Sequence, residues 1–197
     1  MNLQRLGSEY GGWTVDLDRI PQCSVVIDAG VGMDISFAEA LVALKKTRMV
    51  FVDPGEDSER YVRERNVPQA IFLRMAIDVR RGVRSLYKHR TGGSDSLLRE
   101  NANSGDVTCQ VETVDLRQLM AAVGPVSLLK LDIEGSEYDV YQDCLGVPQV
   151  AIEFHHRLIA GKGARDTIRV VECFERNGYE VIHCGEHEIT FALRADA

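Results

Sequence analysis

The sequence predicts an α/β fold, a doubly wound and mostly parallel sheet with helices on both faces. Three observations predict it. Short apolar runs alternate with helical patterns along most of the chain, and such alternation builds parallel sheets through helical crossovers. The first apolar run ends in a tight glycine turn, Asp28-Ala29-Gly30-Val31-Gly32. The last two runs follow each other without a helix between them, so they close the sheet as an antiparallel pair.

Taken in order, Ser24 to Ala29 is the first strand and Asp34 to Leu44 the first helix. Met49 to Asp53 is the second strand, and Ser58 to Arg65 a helix opened by a serine cap. Ala70 to Ile77 reads as one third strand. Asp115 to Val123 is helical and stops at Gly124-Pro125. Val126 to Ile133 is the fourth strand, Glu137 to Cys144 a helix, and Val150 to Phe154 the fifth strand. Ala164 to Asn177 is amphipathic, with Gly178 as its C-terminal cap. Tyr179 to Cys184 and Glu188 to Leu193 form the closing pair. Residues 80–113 break the alternation, and a polar, glycine-bearing excursion of that length is usually functional or mobile. Nothing reads as a linker, so residues 1–197 are expected as one domain, with 1–23 as an N-terminal cover segment.

Composition narrows the function. An apolar content of 45% with 27% charge excludes a disordered chain. The net charge of −7 disfavours nucleic acid as a partner, because binding there relies on neutralising phosphates. Five scattered cysteines form no Cys-x-x-Cys pair, which points to free thiols and a reducing compartment. No apolar run reaches the ~18 residues of a membrane span, and no signal-like stretch opens the chain. A cytoplasmic protein without membrane contact is expected.

Ligands of doubly wound sheets bind beyond the carboxyl ends of the strands. Gly30 and Gly32 stand at such an end and let the backbone approach a ligand closely. Asp53 ends the next strand, roughly 20 residues on, where a carboxylate accepts hydrogen bonds from ribose hydroxyls. Together they suggest a nucleoside-containing cofactor. A dinucleotide fingerprint needs a third small residue where Ile35 stands. The neighbouring Asp34 repels a pyrophosphate but suits the cationic end of S-adenosylmethionine. The balance favours S-adenosylmethionine over NAD or ATP.

Lys130-Leu131-Asp132-Ile133-Glu134-Gly135-Ser136-Glu137 is the most unusual stretch. Alternation puts Lys130, Asp132 and Glu134 on one face. A lysine inside a buried parallel strand needs a carboxylate, and Asp132 or Asp28 can supply it. Glu153 and His155 share a face at the end of the following strand. Asp132, Glu134, Glu153 and His155 can therefore converge, and histidine titrates near the operating pH of a general base. The same groups can hold a divalent cation, a reading set behind the metal-free one. His183 and His187 read as structural or solvated. The basic run Arg80 to Arg90 reads first as a solvated surface and second as a site for an acidic acceptor, with Ser94 and Ser96 leading toward the cluster.

These motifs resemble the FkbM family of S-adenosylmethionine-dependent methyltransferases over nearly the whole chain. Leu6 to Trp13 resembles the segment before the first strand in one branch of that family. Gly30 to Phe37 resembles the branch's glycine motif, and Asp53-Pro54 its ribose-binding strand end. Lys130 to Glu137 resembles the family element Lys-x-Asp-x-Glu-Gly-x-Glu, and Glu153-Phe154-His155 its Glu-x-His. Met33 departs from a frequent acidic residue, and Gly55-Glu56 from the more usual Thr-Pro. The resemblance implies a class I methyltransferase, Rossmann-like, seven-stranded sheet with an antiparallel last strand. It also implies O-methylation of a hydroxyl on a sugar or natural product.

On this reading Asp28, Gly30, Gly32, Asp34 and Asp53 surround the cofactor, and Ala76 and Ile77 flank its adenine. His155 is the first choice of base, with Asp132 or Glu134 orienting or replacing it. Trp13 and Tyr10 cover cofactor or acceptor. The acceptor is a small molecule or glycan. The competing classes are a nicotinamide-dependent oxidoreductase and a non-catalytic cofactor-binding module.

Overall fold

The computed structural model describes residues 1–91 and 94–195. Two short strands lead, β1 (Leu3–Leu6) and β2 (Trp13–Asp16), paired antiparallel. The alternation begins with β3 (Val25–Ala29), α1 (Ser36–Lys45), β4 (Arg48–Val52) and α2 (Glu56–Arg65). Then come β5 (Ile71–Leu73), β6 (Ala76–Asp78), β7 (Gly82–His89) and β8 (Ser104–Asp115). The chain continues through α3 (Leu116–Val123), β9 (Val126–Leu131), α4 (Glu137–Val140), β10 (Gln149–Glu153), α5 (Ala164–Arg176), β11 (Tyr179–Cys184) and β12 (Glu188–Leu193).

Seven strands form the main sheet in the order β11-β12-β10-β9-β3-β4-β5. From β10 to β5 every pairing is parallel. The last strand, β12, inserts antiparallel between β10 and β11. Four of the parallel strands, β3, β4, β9 and β10, are buried on both faces, which is why they read as nearly unbroken apolar runs. Pleating divides their side chains between two cores. Val25, Ile27, Ala29, Leu129 and Leu131 pack with Leu116, Tyr138, Val170 and Phe174. Val26, Phe51 and Leu128 pack on the other face with Trp13, Ile20, Phe37, Leu41 and Val62.

Lys130 and Asp28 share that second face. The parallel register sets them directly opposite each other. The Lys130 ammonium lies 2.9 Å from the Asp28 carboxylate and donates to the Gly30 carbonyl at 2.8 Å. Asp132 is the farther carboxylate, at 4.0 Å. Asp28 and Asp132 hold the lysine charged against the pull of burial.

Several expected elements differ. Residues 70–77 are not one strand. The chain folds back at Arg74-Met75, where the Met75 amide donates to the Leu73 carbonyl, so β5 joins the main sheet and β6 pairs with β8. Ser58 is no helix cap. It lies buried inside α2, which Gly55 precedes and Glu56, Asp57 and Glu59 open with favourable charge. Residues 80–113 contain a long antiparallel pair, β7 and β8, in a separate three-stranded sheet. Two cations of the basic run are paired locally, Arg84 with Asp78 and Lys88 with Asp95, each at 2.6 Å. The N-terminal segment is fastened to the sheet. The Asp16 amide donates to the Gln149 side chain at 2.7 Å, and the Thr190 hydroxyl donates to the Thr14 carbonyl at 2.8 Å. All five cysteines are free. Among the described residues no helix is long and apolar enough to cross a membrane.

Candidate active site

The carboxyl ends of β3, β4, β9 and β10 open onto one cleft of about 1650 Å³. That is above the ~300–1,000 Å³ of typical ligand pockets. Gly30, Gly32, Asp34, Asp53, Ala76, Ile77, Asp132 and Glu134 all line it, as do Tyr10, Trp13 and Lys130. Asp28 and His155 do not. Asp28 lies beneath the glycine turn as the partner of Lys130.

The turn after β3 is built for close approach. Gly30 has a φ of +73°, and a Cβ there would stand 1.6 Å from the Asp132 carbonyl oxygen. Only glycine fits against β9 at that point. Gly32 has a φ of +56° and open space within 4 Å of where its Cβ would be. One Asp53 oxygen accepts from the Val31 and Gly32 amides at 2.9 and 3.0 Å, and the other accepts from the Gly55 amide at 2.7 Å. Asp34 is tied to the N-terminal segment: it accepts from the Ser8 hydroxyl at 2.5 Å and the Ser36 amide at 2.9 Å.

A second group forms where β9 and β10 end. The His155 imidazole is 3% exposed. Its Nε2 stands 3.6 Å from Asp132, 3.6 Å from Glu153 and 3.7 Å from Glu134. Its Nδ1 meets Glu137 at 2.8 Å. Glu137 is fully buried and also accepts from the amides of His155 and Gly135, at 3.0 and 2.8 Å. Glu134 has a φ of +53°, outside the ordinary range for a residue with a side chain. Its carbonyl accepts from the Ser96 hydroxyl and the Asn101 side-chain amide. The excursion at 80–113 thus reaches the site by gripping this positive-φ residue.

Residues 27–181 match the family described as Methyltransferase FkbM domain. This chain belongs to the FkbM methyltransferase family. No curated protein sequence matches it significantly. A solved fibrillarin/Nop5p complex is similar in fold, with a TM-score of 0.53 at 12% identity, covering 88% of this chain and 73% of that one. Methanococcus jannaschii fibrillarin pre-rRNA processing protein gives a TM-score of 0.48 at 11% identity, covering 89% and 67%. The aminoglycoside resistance methyltransferase NpmB1 gives 0.46 at 12% identity, covering 98% and 100%. The strand order described above is that of the class I methyltransferase fold.

In this FkbM methyltransferase the cluster is rich in negative charge. Burial and the neighbouring Asp132 push Glu153 up to about 7. Burial also raises Glu134. Burial pulls His155 down, but the hydrogen bond and charge of Glu137, with Glu134 and Asp132, outweigh it and push the imidazole up to about 9. Sequence reading placed Glu153 near the site without a role of its own and gave Glu137 none beyond opening a helix. A buried glutamate two residues past a strained turn is the signal that only the folded structure supplies.

Proposed function

We propose that this protein transfers a methyl group from S-adenosylmethionine to a hydroxyl oxygen of a small molecule or glycan. One observation carries the reading: the glycine turn with Asp53 and the carboxylates Asp132, Glu134 and Glu153 line a single cleft. When bound, S-adenosylmethionine supplies an electrophilic methyl group on a sulfonium. The residues present fit it. Gly32 leaves room for a ligand against the backbone. A carboxylate offers about four lone-pair sites; backbone amides take three at Asp53, which leaves one for a ribose hydroxyl. Ala76 and Ile77 provide apolar walls suited to an adenine.

Positioning donor and acceptor in one cleft can lower a barrier by ~7–11 kcal/mol, and accepting the hydroxyl proton adds ~10²–10⁴-fold. The expected role of His155 changes here. An imidazole that lies behind the cleft wall with Nδ1 held by Glu137 is out of reach of an acceptor hydroxyl. The cleft-facing Glu153 and Glu134 are the candidates to receive the proton. The outer wall carries Glu9, Glu56, Asp57, Glu64, Glu186 and Glu188 against Arg5, Arg60 and Arg157. That balance repels polyphosphates and favours an uncharged or cationic hydroxyl compound.

Calorimetry with S-adenosylhomocysteine tests the reading. One site per chain is expected, weakened at least ~10-fold in Asp53→Ala, as loss of hydrogen bonds to a charged group implies. A panel of sugar, polyketide and phenol hydroxyls then tests the acceptor. Thermal protection by NAD and none by S-adenosylmethionine would overturn it.

A further inference from the structure

We propose that Asp132, Glu153 and His155 form a binding site for one divalent metal cation of the first transition row, at the cleft ends of β9 and β10. The binding claim stands on geometry alone; the cation's part in catalysis rests on the methyl-transfer reading above.

One donor atom from each of these three residues lies within 4.8 Å of the other two. The imidazole supplies the independent sign. It is almost wholly buried, it aims Nε2 at three carboxylate oxygens, and among the described residues it hydrogen-bonds none of them. A charge-assisted N–H···O contact closes to ~2.7–2.9 Å. A nitrogen and an oxygen bound to one ion at ~2.1–2.2 Å, at the tetrahedral angle, stand roughly 3.5 Å apart. The observed 3.6 to 3.7 Å is the second spacing.

The far side of the ring is prepared in the same sense. Nδ1 meets Glu137 at 2.8 Å, the carboxylate–histidine arrangement that orients metal-bound imidazoles. That bond keeps one ring proton on Nδ1, and a cation arriving at Nε2 displaces the other, since metal binding releases protons from its ligands. Glu137 is itself held by two backbone amides, so the ring cannot swing. Clustered, partly buried carboxylates are costly without a counter-charge, and a dication supplies one. An imidazole ligand favours a first-row transition cation over Ca²⁺, and Mn²⁺ serves as its paramagnetic probe.

Three protein donors leave coordination positions open, and Asp132 and Glu153 line the cleft. An acceptor hydroxyl placed there meets a Lewis acid that eases loss of its proton. Glu134, outside the triad and on the cleft wall, receives that proton. The O–H bond breaks with its electron pair left on oxygen, and that pair forms the new C–O bond. The C–S bond breaks with its pair passing to sulfur. The cation keeps its oxidation state.

The test uses the full chain stripped with EDTA and titrated with Mn²⁺, followed by the paramagnetic resonance of the free ion. Binding of S-adenosylhomocysteine is measured by calorimetry on the same sample. One Mn²⁺ per chain is expected. Glu153→Gln and His155→Ala should each weaken it at least ~10-fold, and Glu137→Gln by ~10–100-fold, while S-adenosylhomocysteine affinity stays within about 3-fold. Stripping should abolish methyl transfer and Mn²⁺ restore it. If His155→Ala fails to fold, the conservative Glu153→Gln carries the test. No saturable Mn²⁺ site, equal binding by Glu153→Gln, or full turnover after stripping overturns the proposal. Mn²⁺ binding without S-adenosylhomocysteine binding leaves the site standing and overturns the methyl-transfer reading instead.

Discussion

The hydroxyl of Ser96 donates a 2.7 Å hydrogen bond to the backbone carbonyl of Glu134. Ser96 is buried and also accepts from the Leu98 amide at 3.0 Å. It therefore joins a segment outside the main sheet to the positive-φ residue at the mouth of the site. Ser96→Ala leaves that carbonyl with Asn101 at 3.2 Å and strands the Leu98 amide. A cost of about 1–3 kcal/mol is expected for such unpaired groups, read by urea unfolding. Turnover should fall at least tenfold, with S-adenosylhomocysteine affinity changed less than threefold. Unaltered turnover would separate the clamp from the chemistry.

Lys130 and Asp28 form a buried pair whose members depend on each other. Lys130→Met leaves a buried carboxylate without its counter-charge, at about 3–5 kcal/mol. Adding Asp28→Asn should recover more than half of that loss, because the uncompensated charge disappears. Urea unfolding of the two single variants and the double variant measures the coupling. The single tryptophan, Trp13, is a convenient probe, since the Lys130 ammonium lies 5.3 Å from its ring centre.

Asp34 makes part of the stability depend on acid. Burial tends to raise its pKa, but the hydrogen bonds from Ser36 and Ser8 outweigh it and hold the group below its ordinary value. A folded pKa below the unfolded one means the contribution is fully present above the unfolded pKa of ~3.9 and is lost as pH falls through the folded value. As pH falls through that lowered value the contact with Ser8 should loosen. Asp34→Asn cannot titrate, so its melting temperature should drop less between pH 6 and pH 3 than the parent's. Parallel curves would refute the assignment.

The parallel strands were legible because burial on both faces demands continuous apolar runs, as in Val25–Ala29 and Val126–Leu131. The break at Arg74-Met75 was not, because residues on either side are apolar and no glycine or proline marks the turn. The β7–β8 pair was missed for another reason: half of β8 is exposed, Val107 among it, so the alternation from Val107 to Glu112 marks no buried face. At the site, motif spacing brought Asp132, Glu134, Glu153 and His155 together correctly. It could not reveal that Glu137 turns back to hold Nδ1 of His155, and that contact sets both the charge of the ring and its direction. Alternation placed Lys130 opposite one of two carboxylates. Choosing Asp28 required knowing that β3 and β9 are neighbours.

Gly30 and Gly32 have similar backbone conformations, with φ of +73° and +56°, yet alanine should affect them differently. At Gly30 a methyl group would stand 1.6 Å from a backbone oxygen of Asp132. Neither strand can yield without breaking the pairing that carries Lys130 and Asp132, so Gly30→Ala should cost more than ~4 kcal/mol, in the range reserved for severe lesions. At Gly32 nothing stands within 4 Å, and only the left-handed conformation is penalised, by about 1–2 kcal/mol. Gly32→Ala should therefore fold, with a modest fall in melting temperature. Its methyl group would project into the space assigned to the cofactor, so S-adenosylhomocysteine affinity should drop at least tenfold in calorimetry. A folded Gly32→Ala protein that binds as tightly as the parent would show that the ligand does not lie against this turn, and the cofactor would then have to be sought elsewhere in the cleft.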